Sequence, residues 1–327
     1  MLRERGMKIN GLINVLPQEF VLNQDLQFST PQEKEQFIEN VGINKRYVAP
    51  SNNNIVSYLE KGIEVLLDRL GWEYNEVDFL CIVSQSGLGV LPSMAHQLHG
   101  SFEGKSEALV WDLNLGCSAW GYALFQAHKV LQGLGDNAKA ILCLGDLSSQ
   151  LIAPDDNSTK FIFSDAINIL GLELDEKEPP FYYSFLNPGK GVKSIYRGLD
   201  ERSSKGMVLD GLEVFQHAVS LVPAEINKMI KHLEQEQVTI STLVLHQANQ
   251  LINHAIINQI DVERYQVLET LNHFGNAGIA SIGLTLGVEA NRALIPEYIC
   301  ACGFGVGFSI STMAFKFSPR VNELIKI

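Results

Sequence analysis

The stretch from Ala108 to Ala127 constrains this chain more than any other part of its sequence. It begins as an apolar run typical of a buried strand, turns at Gly116, and continues with apolar residues at helical spacing. Cys117 therefore lies where a buried strand passes into the first turn of a buried helix. Backbone N–H groups and the positive end of the helix dipole meet at such a position, and both stabilise a thiolate. The position suits a nucleophile, although a cysteine in an apolar run can also be an ordinary core residue.

Composition indicates a compact globular protein. The chain has 327 residues, of which 46% are hydrophobic and 19% charged, enough for two small domains or one large duplicated one. Its net charge of −12 argues against binding to nucleic acid or to an anionic membrane surface. An acidic partner would need a local basic patch.

The cysteines and the apolar runs predict the compartment. The number of cysteines is odd, they lie mostly in strand-like runs, and no CxxC pair occurs, so neither a zinc site nor a disulfide framework is indicated. The N-terminal residues lack the apolar segment of a secretory signal, and no apolar run reaches about 18 residues. We therefore expect a cytoplasmic protein without a metal. The cysteines are Cys81, Cys117, Cys143, Cys300 and Cys302.

Two halves of the chain show the same order of strands and polar turns. The interval from Cys117 to Gly145 is nearly the same as the interval from Asn276 to Gly303. His246 follows another apolar strand-like run and precedes Asn276 by a similar interval. The spacing predicts a duplicated α/β unit in which both halves supply residues to one site between them.

The boundary between the two halves is placed after residue 174. Residues 175–210 are polar and punctuated by proline and glycine, so they are predicted to be irregular. Phe161–Phe163 just before them is predicted as a strand. We expect one domain at residues 1–174, carrying the cysteine, and a second at residues 175–327, carrying the histidine and the asparagine.

Residues with reactive side chains occur at equivalent turns of the two predicted halves. Cys117 attacks a substrate only as a thiolate, so it needs a partner that removes or offsets its proton. His246 exchanges protons near neutral pH, and the amide of Asn276 can donate to a developing oxyanion. Backbone N–H groups at Cys117 and in the turn at Gly305 and Val306 could form a second oxyanion hole. Each residue alone also has a purely structural explanation, and their joint occurrence in matching turns favours the functional one.

Several segments resemble the motifs of ketoacyl-acyl-carrier-protein synthase III, a family with the thiolase fold. Three of them carry the candidate catalytic residues: Asp112–Ala119, His246–Asn249 and Gly275–Ser281. Cys302–Phe308 resembles the glycine-rich turn of the family, and Gly211–Phe215 resembles an apolar segment near the substrate tunnel. The resemblance runs in order over most of the chain.

The resemblance implies a duplicated, five-layered αβαβα fold and a homodimer. It also implies that Cys117 takes an acyl group from a coenzyme A or phosphopantetheine thioester. His246 and Asn276 would then stabilise the enolate that forms when a malonyl thioester loses CO₂. Phe215 and Asn249, which lie in matching motifs, would contact the substrate. No tightly bound cofactor is implied.

Departures from the family lie at the predicted mouth of the site. The family commonly stacks the adenine of coenzyme A between a tryptophan and an arginine, where this chain has Phe37 and Asn157. Leu251 replaces the arginine that usually helps to dock the acidic carrier protein. The resemblance therefore leaves open whether acyl-coenzyme A or acyl-carrier protein is the donor, and it favours a specialised pathway.

Three other functions are compatible with parts of the sequence. Cys117 could transfer its acyl group to an alcohol or an amine without decarboxylation. A papain-like hydrolase also uses Cys, His and Asn in this chain order, but the surroundings of Cys117 lack the papain-like sequence and the duplication would go unexplained. The chain could also be a non-catalytic partner subunit. The presence of Cys117, His246 and Asn276 together argues against this.

Overall fold

The computed structural model describes residues 1–26, 28, 30–87, 90–153, 156, 159–290 and 297–327. These residues form 15 strands and 8 α-helices. The strands are β1 (Leu2–Leu16), β2 (Phe20–Leu22), β3 (Lys45–Tyr47), β4 (Val77–Val83), β5 (Leu109–Leu113), β6 (Lys139–Asp146), β7 (Ala166–Leu174), β8 (Pro180–Leu186), β9 (Ile195–Tyr196), β10 (Val208–Leu209), β11 (Ile240–Leu245), β12 (Gln266–Leu268), β13 (Tyr298–Gly305), β14 (Ser309–Phe315) and β15 (Val321–Lys326). The helices are α1 (Pro31–Val41), α2 (Ile55–Leu70), α3 (Met94–Ser101), α4 (Ala119–Leu134), α5 (Gly211–Gln235), α6 (Gln250–Ile257), α7 (Leu271–Phe274) and α8 (Ser281–Glu289).

The strand order repeats between the two halves of the chain. The first half runs β5-β4-β6-β7-β1 and the second runs β12-β11-β13-β14-β8, with β1 also pairing to β8. Directions repeat as well. The second strand of each row lies parallel to both of its neighbours, and the remaining pairs are antiparallel. The predicted duplication of the fold is thus confirmed.

The three largest apolar cores lie between five layers of helices and strands, and a fourth, smaller cluster contains Leu16, Tyr47 and Leu284. The two rows of strands are called the first-half sheet and the second-half sheet. The central core lies between their facing sides and contains α4 and α8, for example through Trp120, Ile282, Leu170 and Met313. A second core lies between α2, α3 and the outer face of the first-half sheet. The third lies between α5, α6 and the outer face of the second-half sheet. This is the αβαβα arrangement, and it buries α4 and α8, whose first turns carry the candidate site.

Two early helices are bounded by residue types that commonly start or end a helix. The side chain of Thr30 accepts a hydrogen bond from the backbone N–H of Glu33 at the start of α1, where Pro31 occupies the first turn. Helix α2 ends at Gly71, which adopts a left-handed conformation with φ of 68°. Both ends follow from residues that satisfy or terminate the backbone hydrogen bonds of a helix.

The strand predicted at Phe161–Phe163 is wrong. These residues form a turn in which the N–H of Ile162 donates to the carbonyl of Thr159 at 3.0 Å. Phe163 then makes an isolated parallel bridge to Asn276. The apolar residues of this segment contact the other half of the chain and do not form a strand of the sheet.

The prediction that residues 175–210 are irregular is also wrong in part. They include β8, which lies between β14 and β1 in the middle of the sheet, and the two-stranded β9–β10 ribbon. Pro180 occupies the first position of β8, where a missing N–H is tolerated. The proposed domain boundary after residue 174 falls between β7 and β8 and stays a prediction.

Within the part of the chain that the structure describes, no helix has both the length and the apolar character needed to cross a membrane.

A buried polar chain joins α4 to the first-half sheet. The indole N–H of Trp120 donates to Oδ1 of Asn168 at 2.9 Å, and Nδ2 of Asn168 donates to Oδ1 of Asn14 at 2.7 Å. All three side chains are almost fully buried. Removal of the Asn168 side chain leaves the indole N–H of Trp120 and Oδ1 of Asn14 without this hydrogen-bond partner.

Replacement of Asn168 by alanine should therefore lower the free energy of unfolding by about 1–3 kcal/mol, the cost of leaving a buried polar group without its partner. Urea unfolding followed by circular dichroism measures this. Asn52→Ala, at an exposed turn position, is the matched control and should change little. Equal unfolding midpoints for the two variants would contradict the role assigned to the chain.

Candidate active site

Cys117 lies between β5 and α4, in the interface of the two halves. The backbone N–H of Ala119 donates to the carbonyl of Gly116 at 2.9 Å and closes the turn that carries the cysteine. The Cys117 residue is 7% exposed. The predicted passage from a strand through a sharp turn into a buried helix is thus present, but the prediction that the strand is buried is wrong, because β5 lies at the edge of the sheet.

The end of β13 approaches this turn so closely that only glycine fits. A Cβ atom on Gly303 would lie 2.7 Å from the carbonyl oxygen of Cys117, and one on Gly305 would lie 2.9 Å from the Cβ atom of Cys117. The absence of side chains lets the backbone N–H of Val306 reach the sulfur of Cys117, together with the cysteine's own N–H. Two donors therefore converge beside the sulfur, where the sequence analysis predicts them.

Burial keeps Cys117 protonated in the free protein. Desolvation raises the pKa of the Cys117 thiol to about 12, and the carboxylate of Asp146 acts in the same direction. The N–H groups of Cys117 and Val306 oppose this effect but do not overcome it. Since burial also raises the pKa of Cys302 to about 12, an altered pKa does not single out Cys117. Its distinction is that it lines a cavity.

His246 lies at the end of β11 and is held by a serine. Its Nδ1 atom lies 2.7 Å from Oγ of Ser281, at the start of α8, and its ring packs edge-on against Phe304. Burial lowers the pKa of His246 to about 3, and the backbone of Gly278 acts in the opposite direction. The imidazole is therefore neutral around pH 7, with one ring nitrogen occupied by a hydroxyl that can either donate or accept.

Both ends of the Asn276 amide are fixed by the backbone. Nδ2 donates to the carbonyl of Ala248 at 3.1 Å, and Oδ1 accepts from the N–H of Gly278 at 2.9 Å. The main chain of Asn276 pairs with residues 162–164 of the first half. These contacts fix which amide atom is the donor and leave the second N–H of Nδ2 available to a ligand.

A cavity of about 50 Å³ brings the predicted residues together. Cys117 comes from the first half of the chain, and His246, Asn276 and Gly305 come from the second, so both halves build one site as predicted. The lining residues are Cys117, Ile162, Phe163, Ile195, Leu209, Gly211, Val214, His246, Ala248, Asn249, Ile252, Asn276, Phe304 and Gly305.

Of the residues predicted to contact substrate, Asn249 lines the cavity, whereas Phe215 and Leu251 do not. Asn249 lines the cavity and also begins α6, where its Oδ1 accepts from the N–H of Ile252 at 2.8 Å. Phe215 packs on the core of the second half, and the cavity is lined instead by Val214. Leu251 is exposed at the first turn of α6.

Phe37 and Asn157 occupy the positions at which the family commonly stacks adenine. The ring of Phe37 lies 5.4 Å from that of Phe28 and 5.5 Å from that of Phe161, between ring centres, so it takes part in an aromatic cluster of the protein. Asn157 lies outside the described residues. Phe37 therefore contributes to packing in this structure.

Sequence reasoning missed two parts of the site. Ser281 ends the segment Gly275–Ser281, but the sequence predicts no role for it, because its contact with His246 depends on how α8 starts. Ile195 and Leu209 come from the β9–β10 ribbon, in the segment predicted to be irregular. The only signal for the ribbon was its short apolar runs between glycines.

Among the described residues, the side chains of His, Cys, Asp and Glu form no group of three or more that could hold a metal ion.

Comparison with known proteins finds the same family that the sequence motifs resemble. The family model of the 3-oxoacyl-[acyl-carrier-protein] synthase III C terminal matches residues 231–317. The chain is 26% identical over 322 residues to a β-ketoacyl-[acyl-carrier-protein] synthase III of Streptococcus agalactiae, covering 94% of this chain and 98% of that one. It is 27% identical over 325 residues to the enzyme of the same name from Oenococcus oeni, covering 96% and 100%.

A solved structure is similar over the whole chain. The 3-oxoacyl-(acyl-carrier protein) synthase from Burkholderia xenovorans superposes with a TM-score of 0.90 at 26% identity, covering 100% of this chain and 98% of that one. The resemblance and the thiolase-like fold predicted from the sequence are thereby confirmed.

The close approach at Gly305 predicts a sharp effect of one methyl group. Gly305→Ala should slow covalent modification of Cys117 by an acyl thioester by about 100-fold, since displacing a reacting group by about 1 Å has an effect of that order. Intact-protein mass spectrometry measures the rate. Gly133→Ala is the control, because a Cβ at that position in α4 meets no atom within 4 Å. Equal rates for both variants would contradict the contact.

The raised pKa of Cys117 predicts the pH dependence of alkylation. Because burial stabilises the thiol, the thiolate fraction should rise about ten-fold per pH unit through pH 9, without levelling off. The rate of iodoacetamide addition to Cys117, followed by mass between pH 6 and 9, measures this. A plateau near neutral pH would show instead that the helix start and the N–H donors overcome burial.

Proposed function

We propose that this chain, a relative of the 3-oxoacyl-[acyl-carrier-protein] synthases III with their thiolase-like fold, is an acyltransferase that condenses an acyl group with a malonyl thioester. The supporting observation is that Cys117, His246 and Asn276 line one cavity, with two backbone N–H groups at the sulfur. The similarity of nearly the whole chain to enzymes of that name supports the same reaction class.

The first step loads Cys117. Its sulfur forms a bond to the acyl carbon of a thioester, and the bond from that carbon to the thiol carrier breaks. His246, neutral in its buried position, accepts the thiol proton and passes it to the departing sulfur. The N–H groups of Cys117 and Val306 hold the carbonyl oxygen as it gains charge.

The second step forms the carbon–carbon bond. A malonyl thioester releases CO₂, and its remaining electron pair becomes an enolate whose oxygen accepts hydrogen bonds from His246 and Asn276. In this step the hydroxyl of Ser281 acts as the donor to Nδ1 of His246, which places the ring proton on the other nitrogen as a donor. In the first step the hydroxyl accepts from Nδ1, which leaves the other nitrogen free to take the thiol proton. The enolate carbon then attacks the acyl carbon, and the sulfur of Cys117 leaves as a thiolate. The thiolate takes up a proton from solvent, since the proton lost in the first step left with the thiol carrier.

The donor is proposed from the residues around the cavity. Leu212 and Leu251 are exposed at the first turns of α5 and α6, beside the lining residues Gly211 and Asn249. Leu212 lies next to an acidic side chain, Glu213, in an overall acidic protein. Such a rim attracts an acidic carrier protein poorly, so we expect acyl-coenzyme A to load Cys117 faster than acyl-carrier protein.

A homodimer completes the proposal. Strand β5 lies at the end of the sheet order, and an unpaired edge strand is a template for pairing with a second chain. Leu109 at the start of β5 is exposed, and Leu91, which precedes α3, is 92% exposed. Burial of these side chains would favour association.

Asn276→Ala should separate the two steps. Loading of Cys117 should continue, while release of ¹⁴CO₂ from labelled malonyl thioester should fall by roughly 10²–10³, the effect of removing one oxyanion donor. Asn258→Ala, at an exposed position on the end of α6, is the control. Cys117→Ala should abolish loading.

Failure to release ¹⁴CO₂ with any acyl primer would refute the condensation. Transfer of the loaded acyl group to an alcohol or an amine without CO₂ would then favour the non-decarboxylating alternative.

A further inference from the structure

A second cavity lies behind one wall of the cavity at Cys117. It measures about 440 Å³ and is lined by residues of β2 and β3 and by residues from the chain after β6. Phe163, which is 6% exposed, is the lining residue that the two cavities share. The Phe163 side chain therefore separates the two spaces, and the reaction steps proposed above do not use the second cavity.

Arg46 of β3 brings a buried positive charge to the wall of the second cavity. The residue is 6% exposed. Its Nε donates to Oδ1 of Asn23 at 2.8 Å, and its Nη1 donates to the carbonyl of Phe163 at 3.2 Å. A guanidinium carries more N–H donors than these two acceptors use. The stem is held in place by Gly275, where an added Cβ would lie 2.9 Å from Cγ of Arg46.

In the part of the chain that the structure describes, no carboxylate forms an ion pair with Arg46. Asp165 acts on Arg46 from a longer distance, and its own oxygens accept from the N–H of Ala49 and from the N–H and hydroxyl of Ser149. Burial lowers the pKa of Arg46 to about 10, so the guanidinium is still charged at pH 7. A buried charge is normally paired, and the second cavity is the side from which an anion can reach this one.

Lys160 supplies a second positive charge to the same wall. It lines the cavity, and its Nζ lies 4.9 Å from the ring centre of Phe161. A guanidinium with N–H groups to spare, together with an ammonium, is a donor set that suits a phosphate group. In a protein with a net charge of −12, these two side chains form a local basic position.

The rest of the wall is mostly apolar, and the cavity is larger than a phosphate group alone requires. An apolar cavity of about 150 Å³ already holds one benzene molecule. The second cavity therefore has room for a phosphate group and for an organic part of at least that size. The apolar lining residues include Val21, Leu26, Val48, Ile152 and Phe161.

We propose that the second cavity binds a phosphate ester, with its phosphate group at Arg46 and Lys160 and its organic part against the apolar wall. The site is separate from the cavity that receives the thioester, since Phe163 lies between the two. Binding forms and breaks no covalent bond and needs no reaction at Cys117. The inference therefore does not rest on the proposed function.

Isothermal titration calorimetry at constant ionic strength tests this with phenyl phosphate, inorganic phosphate and phenol as probes. Phenyl phosphate should bind once per chain and at least about ten-fold more tightly than inorganic phosphate, because its ring covers apolar side chains. Phenol, which lacks the phosphate group, should not bind detectably.

Two variants assign the site. Lys160→Gln should weaken binding of phenyl phosphate at least about ten-fold, since it removes a charged donor. Arg46→Lys keeps the buried charge but removes the fork of N–H groups, and it should weaken binding to a similar degree. Circular dichroism checks its folding, and Lys160→Gln keeps the test valid if Arg46→Lys does not fold. Lys45→Gln is the matched control, because Lys45 precedes Arg46 in β3 but does not line the cavity.

Absence of phenyl phosphate binding at millimolar concentration, or equal binding by the wild type, Lys160→Gln and Lys45→Gln, would overturn the proposal. The titration is repeated in saturating coenzyme A, where unchanged binding is expected. Loss of binding there would overturn the separate site and assign the phosphate group to the thioester itself. A protein that releases no CO₂ from malonyl thioester could still bind phenyl phosphate, so failure of the proposed function is distinguishable from failure of this inference.

Discussion

The close contact between β13 and the turn at Cys117 is the constraint on which the rest of the site depends. Gly303 and Gly305 let one backbone lie against another, so the two halves meet without side chains between them. This contact points the N–H of Val306 at the sulfur. It also requires α4 to start at this point, with Trp120 in the core that both sheets share. Site geometry and core packing therefore come from the same interface.

Burial makes this a site of neutral groups. Desolvation opposes charge on both Cys117 and His246, and the fixed amide of Asn276 carries none. Charge develops only during the reaction, where preorganised donors stabilise it more strongly than water would. The cost of this design is that the thiol must lose its proton after the substrate is in place.

Much of the site could be predicted from sequence because its residues follow apolar runs typical of strands, although β5 is an edge strand that is only partly buried. The apolar runs are plain, each ends in a polar or glycine turn, and parallel strands bring such turns to one edge. That was enough to join Cys117, His246 and Asn276. The sequence does not predict the central strand β8, because Pro180 and its neighbours indicate a loop. The β9–β10 ribbon and the aromatic cluster at Phe37 depend on contacts between distant segments, which no local pattern shows.

A single turnover tests the central claim that one site performs both steps. The protein is loaded at Cys117, separated from excess acyl thioester and mixed with a malonyl thioester, and its mass is followed with the products. The account predicts that the protein returns to its unmodified mass as one equivalent of 3-oxoacyl thioester and one of CO₂ appear. An acyl adduct that persists, or that is lost to water without CO₂, would contradict it.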